Sequence, residues 1–302
     1  MENNQCKWSA LSCAYMRAYH AKNDSPLIFD DFLAYSLITD EVRTSLEDRL
    51  ANPVLEFLYP DRASALARTI QAISTPPIIL GRARYVEDNL DQAVKNGVHQ
   101  YVLLGAGMDT FAFRRPEMLE LVRVFEIDYP ATQAFKLQRI AELGWQSPQG
   151  LHFLPVDFTR ESLAVALTHS PYDPQSLSFF NWMGVSYYLP RATVLDTFRA
   201  IAEIAPGGSI VAFDYFDIDA IDPEKAARRV STMLENSKRG QEILQTFLDP
   251  TELASDLASV GLRLCEDLSS DVIQERYFQG RTDGYHALEH AHFAMAMVAE
   301  KK

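Results

Sequence analysis

Cysteine is scarce in this chain of 302 residues: only Cys6, Cys13 and Cys265 occur, and no two of them form a CxxC pair. That number and spacing exclude a disulfide framework and a zinc knuckle, and they fit a reducing cytoplasm with buried or idle thiols. No uncharged apolar run reaches the roughly 18 residues of a membrane span. The polar start MENNQCKWSA also lacks the apolar segment of a signal peptide. A cytoplasmic protein without a membrane partner is therefore expected. Positive charge is in short supply too, and the net charge of −13 repels phosphate backbones. A field of that sign disfavours general nucleic-acid binding. Internal repeats, low-complexity stretches and a Walker-type phosphate loop are all absent, and the last absence excludes a triphosphate site.

What is present is a hydrophobic content of 47%, enough for a substantial core. Residues 1–98 read as helices. DDFLAYSL and RASALARTIQAI space their apolar residues three and four apart, Pro76 and Pro77 punctuate, and a following helix is closed by Gly97 as a left-handed cap. From residue 101 the rhythm changes. YVLL (101–104), VRVFEI (122–127), LHFLPV (151–156), LSFFNW (177–182) and SIVAFD (209–214) read as strands separated by helical patterns. The alternation predicts an α/β fold, with a mostly parallel sheet covered by helices on both faces. LRLCEDL and HFAMAMVA supply two final strands, and residues 216–248 read as an inserted helical lid. Residues 1–98 would then be a helical cap continuous with a ligand-binding core over 99–302, the whole a single functional domain.

In an open α/β sheet the ligand sits beyond the carboxyl ends of the strands. There YVLLGAGMDTFAFRRP places Gly105, Ala106 and Gly107 directly after the first strand, followed by Asp109. Glycines let the backbone turn tightly and approach a ligand closely. A dinucleotide fingerprint would need a third glycine where Thr110 stands. The second strand ends in FEIDYP, so Asp128 is placed to accept hydrogen bonds from ribose hydroxyls, with Glu126 as the competing acid. PVDF ends the third strand, where Asp157 could accept from an adenine amine and the Phe158 backbone could face a ring nitrogen. The plainer readings are a tight turn for the glycines and a helix-capping carboxylate for Asp128.

VLLGAGMDTFAFR, FEIDYPATQAFK, PVDFTRESL, FFNWMGVSYYLPRATV and GRTDGY, with the earlier RAYHAKNDSPLIFDDFLAY and GRARYVEDNL, stand in order along nearly the whole chain. Together they resemble the leucine carboxyl methyltransferase family, closest to its bacterial branch with polyketide-type O-methyltransferases. The resemblance implies a class I methyltransferase fold and S-adenosylmethionine (SAM) as cofactor. It implies that Arg82 holds the SAM carboxylate, with Arg84 the second choice, and that the turn of Gly105, Ala106, Gly107 and Asp109 admits the methionine moiety. Asp128 would bind the ribose, and Asp157 and Phe158 the adenine. The protein-modifying eukaryotic members carry a glutamate near the methionine end of the cofactor. Met183 stands at the matching place here, which favours a small-molecule acceptor.

Tyr187 and Tyr188 follow the fourth strand, where the acceptor should lie, and either lines the pocket or packs in the core. Arg281 is a candidate partner for an acceptor carboxylate, its plainer reading being a loop salt bridge. HALEHAH offers His286, His290 and His292 on no common element face and without HExxH spacing, so no metal is expected. His292 remains as a candidate general base. The expected function is O-methylation of a carboxyl or hydroxyl on a small polyketide-like molecule. Methylation of a protein C-terminus is the nearest rival. A nicotinamide oxidoreductase and a non-catalytic nucleoside-binding protein are rivals of other classes.

Overall fold

The computed structural model describes residues 6–157, 161–240 and 242–300. Among the described residues, six helices precede the first strand, from Trp8–Asn23 to Thr75–Lys95. The last of these has Pro76 and Pro77 in its first turn, where a missing N–H costs nothing. It ends in a Schellman motif. Gly97 adopts φ +94°, its N–H donates to the Val94 carbonyl at 3.0 Å, and the Val98 N–H donates to the Ala93 carbonyl at 3.1 Å.

Seven strands follow: β1 (Gln100–Leu104), β2 (Arg123–Asp128), β3 (Leu151–Pro155), β4 (Ser178–Trp182), β5 (Ile210–Phe216), β6 (Leu262–Leu268) and β7 (Ala291–Val298). They form one sheet in the order β3-β2-β1-β4-β5-β7-β6. The pairs among β1–β5 are all parallel, whereas β7 runs antiparallel between β5 and β6. The strand order reverses at β1, flanked by β2 and β4, so a crevice opens beyond the carboxyl end of β1.

Alternate residues of each strand feed two cores. One face carries Tyr101, Leu103, Val124, Phe179, Ala212 and Phe293, packed with residues of the N-terminal helices other than Pro53–Leu58 and of the helix Pro130–Glu142. The other carries Val102, Phe125, Phe180, Phe213 and Ala294 under the helices Leu163–Thr168, Arg191–Ile204 and Leu253–Ser259.

The segment after β5 is less helical than its sequence suggests. A short 3-10 turn, Ile218–Ile221, and one helix, Arg228–Arg239, are followed by an extended return. Asp217 and Leu248 form an isolated parallel bridge, so the segment leaves and re-enters the fold at adjacent points. On its return, the N–H groups of Gln245 and Thr246 donate to the Tyr187 carbonyl at 2.7 and 3.2 Å.

Candidate functional site

The crevice is built first from the turn after β1. The N–H groups of Gly105 and Ala106 both donate to the Ile127 carbonyl, at 2.8 and 3.1 Å, which lashes the turn to the end of β2. Gly105 adopts φ +80°, and a Cβ there would lie 2.5 Å from Val185 Cγ2. At Gly107, φ is +53° and a Cβ would meet Ala10 at 3.3 Å. Both positions favour glycine by conformation, and Gly105 needs it for room as well.

The Asp128 carboxylate accepts from the N–H groups of Gly107 and Tyr129. An ionised carboxylate has about four acceptor places, and among the described residues these two N–H groups fill two of them. Burial pushes the Asp128 pKa above its ordinary value, although those two N–H groups pull the other way. Asp157 lies just past β3 on the same rim, where the Val156 N–H donates to the Asp128 carbonyl at 2.8 Å. Phe158, expected beside it, lies outside the described residues.

Two neighbouring acids behave differently from the expectation. Glu126 shares the β2 face with Asp128 but sits one rung deeper, sealed in an ion pair with Lys136. Burial raises its pKa to about 7 despite that cation, and its Oε1 finds no hydrogen-bond partner among the described residues. It is an interior group and no competitor for a ribose at the rim. Asp109 accepts from the Phe111 N–H at 2.7 Å, an Asx turn that leads into the short helix Phe111–Arg114.

The second half of the crevice surrounds Arg82. Its Nη1 donates to the Tyr187 hydroxyl at 3.0 Å and to Asp214 Oδ2 at 3.3 Å, and its Nη2 lies 3.5 Å from Cys13 Sγ. Asp214, fully buried near the end of β5, also accepts from the Gly184 N–H at 2.6 Å. Gly184 has φ +77°, and a Cβ on it would stand 2.5 Å from Arg82 Nη2, so the guanidinium lies directly over this glycine. Burial works against the Arg82 charge, but Tyr187 and Asp214 outweigh it and keep the pKa above the ordinary arginine value. Tyr188 packs its ring 4.7 Å from that of Tyr187, and burial drives both phenol pKa values up. Met183 is half-buried in the same turn, its N–H donating to Asn181 Oδ1 at 3.2 Å.

Three expected residues are not brought to the crevice. Arg84 lies two residues from Arg82, which on a helix is the opposite side. It is exposed and paired with Asp88, Nε to Oδ1 at 2.8 Å, so it is no alternative to Arg82. Arg281 pairs with Asp283, lies 5.8 Å from the Tyr285 ring centre and lines a cavity of about 260 Å³ that no turn or Arg82-cluster residue touches. The loop salt bridge is what the structure shows it making. His292 stands opposite Tyr215 in the β5–β7 register, one residue out of phase with the pair Asp214 and Phe293. Strand parity therefore puts it on the sheet face away from Arg82. There it contacts Asp267 at 3.0 Å and Asp217 at 3.6 Å and stacks on Tyr215 at 4.7 Å. Burial opposes its charge, but the two carboxylates raise its pKa to about 9. The expected general base thus stands on the far face of the sheet, engaged by two carboxylates and apart from the Arg82 side of the crevice. Of the other two histidines in HALEHAH, His290 shares Asp217 with His292, and His286 lies beside Arg229.

The sequence reading missed Asp214, Cys13 and Gly184. Asp214 carried a signal, because VAFD closes a strand with an acid just as FEID does. Cys13 and Gly184 carried none, since their importance lies in what Arg82 touches.

A rim of glycine turn, strand-end acid and buried arginine at a sheet switch point suits a nucleoside bearing an amino-acid tail. Solved structures share the architecture. A methyltransferase from Thermobifida fusca YX aligns with a TM-score of 0.59 over 99% of this chain and 97% of its own, at 10% identity. A DUF574 family protein from Streptomyces avermitilis aligns with a TM-score of 0.57 over 94% and 96%, at 12% identity. A protein of Bacillus subtilis (strain 168) named as an S-adenosyl-L-methionine-dependent methyltransferase, YktD, is 33% identical over 311 residues, spanning 98% of this chain and 99% of its own. Another so named, from Mycolicibacterium smegmatis, is 31% identical over 233 residues, spanning 76% and 73%. The fold is that of a class I methyltransferase, and the enzyme is a SAM-dependent one. A sequence profile of the leucine carboxyl methyltransferase family matches residues 10–202, and the chain belongs to that family.

Proposed function

We propose that the enzyme methylates the carboxylate of a small, largely apolar acceptor, forming a methyl ester. The observation that carries this reading is that the ionisable side chains bonded to Arg82, Tyr187 and Asp214, are already engaged there. Tyr187 is bonded to Arg82, Asp214 is bonded to Arg82 and to Gly184, and His292 is on the other face of the sheet. A hydroxyl acceptor, with a phenol pKa near 10, gains from a base that removes its proton. A carboxylate, with a pKa of about 4, is already a nucleophile at neutral pH.

Bound SAM supplies an electrophilic methyl group on a sulfonium. Transfer to a carboxylate oxygen would leave the neutral thioether behind and would ask no side chain of this protein to move a proton. The chain's part is alignment and exclusion of water. Arg82 holds the cofactor carboxylate through its fork of N–H donors. Gly105 and Gly107 would let the backbone come close to the methionine portion, Asp128 would take the ribose hydroxyls, and Asp157 would meet the adenine amine. Met183 presents an apolar surface near the methionine end, which supports a small molecule over a protein terminus. The segment 217–248, which bonds the Tyr187 carbonyl through Gln245 and Thr246, would act as the lid over a small acceptor, with the N-terminal helices as its wall.

Purified protein with SAM and matched pairs of carboxylic acids and phenols tests the reading. A base-labile methyl ester, formed at a rate that stays flat from neutral pH down towards the acceptor's own pKa, is expected. Methylation of the phenols alone, rising with pH towards their ionisation, would overturn it, and transfer only to protein C-termini would replace the small acceptor.

A further inference from the structure

The glycine turn is held from outside the sheet by a buried acid that the cofactor contacts leave out. Asp31, in the loop after the first helix, is only 1% exposed. Its Oδ2 accepts from Arg17 Nε at 2.8 Å, and its Oδ1 accepts from the Thr110 hydroxyl at 2.5 Å and from the Ala34 N–H at 3.1 Å. Arg17 reaches on with Nη2 to the Met108 carbonyl at 2.8 Å. Arg114, four residues after Thr110, places Nε 3.8 Å from Asp31 and anchors its other end on Glu87 of the helix Thr75–Lys95.

One acid–arginine pair thus grips the residues on both sides of Asp109, directly after Gly107. A buried carboxylate is costly unless paired and hydrogen-bonded. Here its bonds go to the turn as well as to its own region. A turn with two glycines at positive φ is conformationally loose, and the Gly107 N–H must aim at Asp128. Thr110 occupies the place where a dinucleotide binder carries its third glycine. A glycine there could not make the bond to Asp31, so this chain replaces close helix packing by a side-chain tether.

We propose that Asp31, through Arg17 and Thr110, is a positioning residue that fixes the glycine turn in its cofactor-binding shape. The proposal rests on the reading that this turn and Asp128 hold SAM. Thr110→Val removes the hydroxyl at nearly constant volume, Thr110→Ser restores it, and Arg17→Met cuts the second arm. S-adenosylhomocysteine affinity by calorimetry, KM for SAM and unliganded Tm are measured for each, with Asp128→Ala as the reference. Thr110→Val and Arg17→Met should each weaken S-adenosylhomocysteine binding about tenfold and raise KM for SAM, with kcat nearly unchanged and Thr110→Ser close to wild type. Wild-type affinity in both variants, alongside weak binding by Asp128→Ala, would overturn the tether and leave the cofactor site standing. A lowered Tm with unchanged affinity in the folded protein would assign the cluster to stability alone and overturn it too. Wild-type affinity in Asp128→Ala would instead remove the site reading beneath it.

Discussion

Gly184 lies beneath the Arg82 guanidinium, where a Cβ would sit 2.5–2.6 Å from two nitrogens and the central carbon. Gly184→Ala must therefore push the guanidinium aside, and its positive φ adds strain of about 1–2 kcal/mol for an L residue. The expected result is a folded enzyme whose KM for SAM rises about tenfold or more, since 1.4 kcal/mol of lost binding already corresponds to that factor. Arg82→Lys should show a similar loss, because an ammonium cannot present the paired donors that a carboxylate matches. Steady-state kinetics with varied SAM checks both; an unchanged KM in either would remove Arg82 from the cofactor site. Gly105→Ala differs in kind. Its Cβ would strike the β-branched Val185 at 2.5 Å, and overpacking of a stiff neighbour costs about 1–3 kcal/mol beyond the backbone strain. Urea denaturation should show that loss in stability. At this scale the sequence named Arg82 but not its separation from Arg84, because helical phase has meaning only once the buried side is known. That side is set by Cys13, Tyr187 and Asp214, all distant in the chain.

Elements decide which groups share a space. The strand patterns of β1–β5 were legible because buried parallel strands are short continuous apolar runs bounded by turn residues. The insertion of β7 between β5 and β6 was not, since no local pattern encodes which edge a final strand joins. That insertion fixes His292 beside Tyr215 and between the carboxylates of Asp267 and Asp217. The cluster ties β5, β6 and β7 to the start of the 217–248 segment, and it makes stability depend on pH in two directions. His292, raised from an ordinary 6.5 to about 9, contributes stability that is full below about pH 6.5 and is lost as pH climbs through 9. A gap of that size is worth about 3 kcal/mol at most. Asp217 works the other way. Burial opposes its ionisation, but hydrogen bonds from His292 and His290 hold its pKa below the ordinary carboxylate value. Its share is present above that ordinary value and disappears as pH falls through the lowered one. Thermal denaturation from pH 6 to 10 should show the wild type losing stability on the alkaline side. His292→Gln should be less stable at pH 6 and nearly flat across that range. A variant with the wild-type slope would mean that another group titrates there.

For the molecule as a whole, the change of rhythm near residue 98 was readable, but its consequence was not. The N-terminal helices and the sheet share one continuous core, in which Leu11, Ala14 and Leu80 pack with Tyr101, Phe179 and Phe293. The crevice is also composite. Ala10 closes on Gly107, Cys13 touches Arg82, and Arg17 and Asp31 hold the turn. Contacts between segments so far apart in the chain leave no periodic trace, so a reader of the sequence sees a helical preface where the fold has half of its binding rim. Two regions that share a core should not melt separately, and a ligand held by both should stabilise both by mass action. Calorimetric unfolding of the full chain is expected to give a single transition, with S-adenosylhomocysteine moving the whole of it upward. At about 100 times the dissociation constant the gain is about 2.7 kcal/mol. A chain cut to residues 99–302 should lack both the cooperative transition and the ligand response, because it exposes the apolar face that the helices cover. Two transitions in the full chain, with only the later one moved by ligand, would make the N-terminal helices a separate unit and would place the binding rim in the sheet alone.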